Sequence, residues 1–171
     1  MDLSDLISVP AIMPALKANS KKQLLQLLSE RAAAISGIPE REVFDTILQR
    51  ERLGSTGVGN GIAIPHGKLA GVKRIAGVFA RLETPVDFEA LDDQPVDLVF
   101  LLLAPEGAGA DHLKALSRIA RVLGRPFHRN PPACSRKLRA RGHRCPRRLR
   151  PGRRLYLVVG RPLGDARYAG P

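Results

Sequence analysis

His66 stands between Pro65 and Gly67, near the end of a stretch (residues 53–69) that reads LGSTGVGNGIAIPHGKL. Gly54, Gly57, Gly59 and Gly61 crowd this stretch together with Ser55, Thr56 and Asn60. Glycine admits positive φ and lets backbone N–H groups approach an anion. Proline fixes φ just before the histidine, and Gly67 leaves its far side open. An imidazole is a nucleophile near neutral pH, with an ordinary pKa of about 6.5. Held at a strand end beside a donor-rich loop, it suits receiving and passing on a phosphoryl group. The same residues also read as a glycine turn followed by an ordinary surface histidine.

Two more side chains enter on position. His112 falls in the first turn of a helix, directly after a glycine-containing loop. It is either an exposed histidine of no consequence or a second imidazole facing His66, assisted by free N–H groups at the helix N-terminus. Arg50, at the mouth of the glycine stretch, is either a solvated helix residue or a clamp whose guanidinium fork matches phosphate oxygens. Neither a Walker lysine motif nor a metal-binding carboxylate cluster occurs, so no cofactor and no metal are expected.

The elements that must position these residues follow from periodicity. Residues 3–16 read as a short strand and loop, interrupted by Pro10 and Pro14. Asn19 or Ser20 caps a helix over 21–36, where Leu24, Leu25, Leu28, Ala32 and Ile35 keep the 3.6-residue period and Gly37 stops it. A second helix has Pro39 in its first turn, Val43, Phe44, Ile47 and Leu48 as its buried stripe, and its end at 50–52. Strands are expected at 62–64, 75–82 and 96–103, the last nearly all apolar, as a central strand covered on both faces must be. Residues 85–93 form a turn region anchored by Phe88. A third helix starts at Asp111, with Leu113, Leu116, Ile119, Ala120 and Leu123 on one face. The fold class is therefore α/β, a mixed β-sheet flanked by helices on both sides.

The segment from Arg50 to Thr56 (RERLGST), the run GVGNGIAIPHGK that follows it, and DHLKALSRIA from Asp111 together carry a family. They resemble the IIA component of the bacterial phosphoenolpyruvate-dependent sugar phosphotransferase system, mannitol/fructose type, its nitrogen-regulatory members above all. The resemblance covers residues 1–123. It implies a phosphohistidine carrier rather than a multiple-turnover enzyme. His66 would accept the phosphoryl group from a phosphorylated histidine-carrier protein, with His112 and Arg50 supporting the phosphorylated state. The absence of an attached transporter or sugar-binding segment favours a regulatory output, through target proteins, over a IIA component that passes phosphate to a sugar permease.

Totals set the remaining bounds. The net charge of +12 over 171 residues is unevenly spread: residues 1–123 balance to −1, and residues 124–171 carry +13. No apolar run is long enough to span a bilayer and no signal-peptide pattern opens the chain, so no membrane insertion and a cytoplasmic location are expected. Residues 124–171 depart from the family's pattern, which continues with another amphipathic helix. They hold 13 arginines, seven prolines, six glycines and one acid. Such a composition predicts a disordered tail and a carrier domain truncated at its C-terminal end. It reads either as a coding frame out of register or as a basic arm gripping nucleic-acid phosphates. Nucleic acid is the less favoured partner, because only Phe127, Tyr156 and Tyr168 are available to stack on bases. The spacing of His128, Cys134, His143 and Cys145 fits no zinc signature.

Overall fold

Ser20 is the N-cap of the first long helix: its Oγ accepts the N–H of Gln23, and the Gln23 side chain in return accepts the N–H of Asn19. This is a capping box whose return bond lands one residue early. The helix ends at Gly37, whose φ of 75° only glycine adopts freely. In the computed structural model, which describes residues 3–124, the chain runs through α1 (Leu3–Leu6), a 3₁₀ turn (Val9–Ala11), β1 (Ile12–Leu16), α2 (Lys21–Ser36) and α3 (Glu40–Arg52). It continues through β2 (Gly57–Gly59), β3 (Ile62–Ala63), β4 (His66–Leu69), β5 (Ala76–Val86), β6 (Val96–Pro105) and α4 (Gly109–Leu123).

Six strands form one mixed sheet in the order β1-β5-β6-β3-β2, with β4 also paired to β6. β1 is parallel to β5, β5 is antiparallel to β6, and β2 is antiparallel to β3. On its other side β6 takes β3 and β4 in parallel and in one register, Ile62 opposite Leu98 and His66 opposite Leu102. β3 and β4 are thus two halves of one line. The break falls at Pro65, which has no N–H to give, although its carbonyl still accepts from Leu102 at 2.9 Å.

β6 is buried on both faces, as its apolar run requires. Val99, Leu101 and Leu103 join the core beneath α2 and α3, and Phe100, Leu102 and Ala104 join the one beneath α4. Mixed sheet and flanking helices agree with the expectation from sequence.

Several local readings need correction. Residues 3–16 are not a strand and loop throughout: α1 and the 3₁₀ turn precede β1, and Pro14 is accommodated within β1 near a register shift. Pro39 is the N-cap of α3 rather than part of its first turn. β5 runs on to Val86, into the expected turn region, while Phe88 is the fully buried anchor anticipated there. α4 starts two residues early, and Leu113 is 65% exposed. The inward face of α4 carries His112, Ala115 and Ile119, and Leu113 lies about 100° round from His112. The expectations placed on residues 125–171 lie outside the described residues.

Candidate functional site

His66 is the first residue of β4, so its position is set by the β6 pairing and its approach by the proline before it. Its Nδ1 lies 2.9 Å from the carbonyl oxygen of Ile64. A carbonyl can only accept, which puts the ring proton on Nδ1 and the lone pair on Nε2. Arg50 Nε donates to that Nε2 at 3.1 Å, and Arg50 Nη1 donates to the carbonyl of Gly54 at 3.1 Å. The guanidinium therefore spans the nucleophilic nitrogen and the start of the glycine stretch. Burial lowers the His66 pKa, and Arg50 adds to this, while the Ile64 bond and the Glu51 charge oppose it. The net shift favours the neutral ring, the form in which an imidazole can act as a nucleophile.

His112 faces His66 across the end of the sheet, with ring centroids 5.4 Å apart and planes inclined by 55°. It is buried, and its Nε2 makes no hydrogen bond among the described residues. Burial lowers its pKa too, followed by the neighbouring His66 and Lys68. An orphaned, buried imidazole nitrogen is costly to keep unless something polar reaches it. The three residues singled out from sequence, His66, His112 and Arg50, thus converge, with α3, β4 and α4 contributing one each. The N–H of His112 itself is bonded to the Ala108 carbonyl, the first intrahelical bond of α4, and so is not one of the free donors at the helix start.

The glycine stretch differs from the expected open cradle. Gly59, Asn60 and Gly61 turn a β2–β3 hairpin through positive φ values of 89°, 53° and 71°. Its N–H groups are largely engaged, Thr56 with Glu51, Gly57 with Ser55 Oγ, and Asn60 with Asp92. Ser55 Oγ in turn donates to the Phe88 carbonyl, and Leu91 N–H to the Gly57 carbonyl. The stretch is wired into the scaffold, and these three N–H groups are not free to receive an anion.

Sequence reasoning missed Glu51. This buried carboxylate accepts both the N–H and the hydroxyl of Thr56, the latter at 2.5 Å, and pairs with Lys21 Nζ at 2.9 Å. Lys21 also pairs with Glu89 at 2.7 Å and lies 4.8 Å above the Phe88 ring. Desolvation works against the Lys21 charge, but these carboxylates raise its pKa on balance. One local signal existed: a glutamate in a last helical turn opposes the helix dipole, which favours cations there. Among the described residues no cluster of histidine, cysteine and carboxylate suited to a metal occurs.

Comparison with known proteins places the chain among relatives. Residues 5–130 match the family described as "Phosphoenolpyruvate-dependent sugar phosphotransferase system, EIIA 2". A nitrogen regulatory protein of Bradyrhizobium diazoefficiens is 65% identical over 123 residues, covering 72% of this chain and 80% of that one. The nitrogen regulatory protein of Escherichia coli is 47% identical over 124 residues, 72% of this chain and 76% of its own. The crystal structure of the nitrogen regulatory protein IIA-Ntr from Neisseria meningitidis superimposes with a TM-score of 0.70 at 39% identity, over 72% of this chain and 85% of that one.

Proposed function

The chain belongs to the EIIA type 2 family of the phosphoenolpyruvate-dependent sugar phosphotransferase system, and from that premise we propose that His66 Nε2 is its phosphoryl acceptor. The observation that carries this reading is the hydrogen bond from His66 Nδ1 to the Ile64 carbonyl, which leaves the nucleophilic lone pair on Nε2. In the transfer, the P–N bond of a phosphorylated histidine-carrier protein breaks and its electron pair returns to the carrier's ring. The Nε2 lone pair of His66 forms the new P–N bond. The ring then bears positive charge, and the Nδ1–H bonded to Ile64 supports it. Such transfers need little covalent help, so positioning and charge neutralisation dominate. Arg50 exchanges its bond to Nε2 for one to the arriving phosphoryl oxygens, and His112 presents its orphaned Nε2 to the same group. Leu53 and Leu113, 85% and 65% exposed, flank Gly54 and His112, where a docked carrier covers them.

The output is regulatory. A phosphoryl group adds about −2 charge beside His66, so target proteins meet two different surfaces. Kinship with nitrogen regulatory proteins supports this over delivery to a sugar permease. The location implied is the cytoplasm, and among the described residues no helix is long and apolar enough to cross a membrane. Incubation with phosphoenolpyruvate and the purified relay proteins tests the assignment. The parent chain takes up acid-labile, base-stable label, and His66→Ala takes up none; equal labelling of the two assigns the chemistry elsewhere.

A further inference from the structure

Glu51 sits in the last turn of α3, where the helix dipole disfavours a carboxylate, and its side chain is only 3% exposed. Apolar residues of similar volume often serve stability as well as a buried ion pair does. Its bonds are nevertheless complete, and they lead somewhere. Lys21 Nζ donates to the carboxylate, which accepts the Thr56 N–H and hydroxyl. The Thr56 carbonyl accepts the Ile64 N–H at 3.0 Å, and the Ile64 carbonyl accepts His66 Nδ1–H at 2.9 Å. One unbroken line of hydrogen bonds joins the N-terminus of α2 to the ring of His66. Arg50, the preceding residue, grips the opposite side of the same turn through the Gly54 carbonyl.

We infer that Glu51 is a positioning residue for phosphoryl transfer: through Thr56 and Ile64 it fixes the His66 ring in the Nδ1–H tautomer and aims Nε2 at the incoming phosphorus. The inference rests on the phosphoryl-carrier reading of His66 and extends it to a group that never touches the phosphate. Geometry, more than charge, is what Glu51 supplies. A carboxamide can reproduce the pattern, its oxygen accepting from Lys21 and the Thr56 N–H and its NH₂ donating to Thr56 Oγ1, whereas a thioether cannot.

The experiment compares Glu51→Gln and Glu51→Met with the parent chain, reading ¹⁵N imidazole shifts for the His66 tautomer and single-turnover transfer from the phosphorylated carrier protein. Glu51→Met mixes the tautomers and slows transfer about tenfold, while Glu51→Gln stays within about twofold of the parent. The acid limb of the Glu51→Gln rate profile moves to lower pH, because His66 loses an attracting charge while Arg50, His112 and Lys68 remain around the pair. Thr56→Val, which removes only the hydroxyl, gives the same direction of change should Glu51→Met fold poorly. A labelled Glu51→Met with parental tautomer and rate overturns the inference, as does a Glu51→Gln impaired as severely as Glu51→Met. A parent chain that takes no label overturns the carrier reading instead.

Discussion

At the scale of single residues, each side chain beside His66 has, on the proposed reading, a separable task. Arg50→Ala removes the donor to Nε2, and His112→Ala removes the facing imidazole; each slows phosphoryl transfer about 10- to 30-fold while the fold persists, as single-turnover rates and circular dichroism will show. Arg50→Lys does not restore the rate, since one ammonium cannot span both Nε2 and the Gly54 carbonyl as the fork does. Both histidines titrate below 6.5, the value expected of the unfolded chain. The unfolded chain therefore binds more protons than the folded one as acid is added, so stability is full above about pH 6.5 and falls as pH drops toward the lowered folded values. Melting temperatures measured from pH 7 down to about pH 5 will decline, and the decline will shrink in a His66→Gln, His112→Asn double variant. The convergence of His66, His112 and Arg50 was legible in the sequence because each adjoins a local landmark: a proline, a helix start, a glycine run. Glu51 was not, because its meaning depends on Lys21, 30 residues away in another helix.

At the scale of elements, close contact decides. Gly57 in β2 lies so near the loop after β5 that an added Cβ would stand 2.7 Å from Ala90 Cβ and 2.8 Å from Ala90 Cα. One of the two contacted atoms is backbone, so no rotamer change relieves it. Gly57→Ala should cost about 1–3 kcal/mol and push the hairpin off Ser55 and Leu91, lowering the melting temperature and slowing labelling together. α2 was readable to its end residues because apolar spacing and caps agree; α3 and α4, whose N-caps make no side-chain bond, were placed to within about two residues by apolar spacing. β3 was read as a strand at 62–64, but β2 and β4, three and four residues long and each containing glycine, left no pattern of their own; β2 takes its pairing from β3 and β4 from β6. On α4, counting apolar residues put Leu113 inward; the histidine occupies that phase instead, since a ring facing the site can be buried as well as a leucine.

At the scale of the molecule, β6 is shared by two cores that lie on opposite faces of the sheet. Leu101 is buried in the core under α2 and α3, and Leu98 is half-buried at the rim of the other. Leu101→Ala should therefore lose about 2–5 kcal/mol, and Leu98→Ala about 1 kcal/mol, a contrast that urea denaturation resolves. The layered architecture was legible from one nearly continuous apolar run, whose only stable setting is between two covered faces.

The two ends of that sheet bear on how the molecule keeps company. At one end β1 carries Pro14, which offers no N–H to a neighbour, beside a register shift; at the other, β2 is three residues long and begins and ends in glycine. A short or interrupted border is a poor template for a further strand. Among the described residues, extended peptides and copies of this chain thus meet only short ladders, at β1, β2 and the four-residue β4, and these borders disfavour self-templated fibre growth. On the proposed reading, encounters fall instead to side-chain surfaces, which can change their character when a phosphoryl group comes or goes; a backbone edge could not.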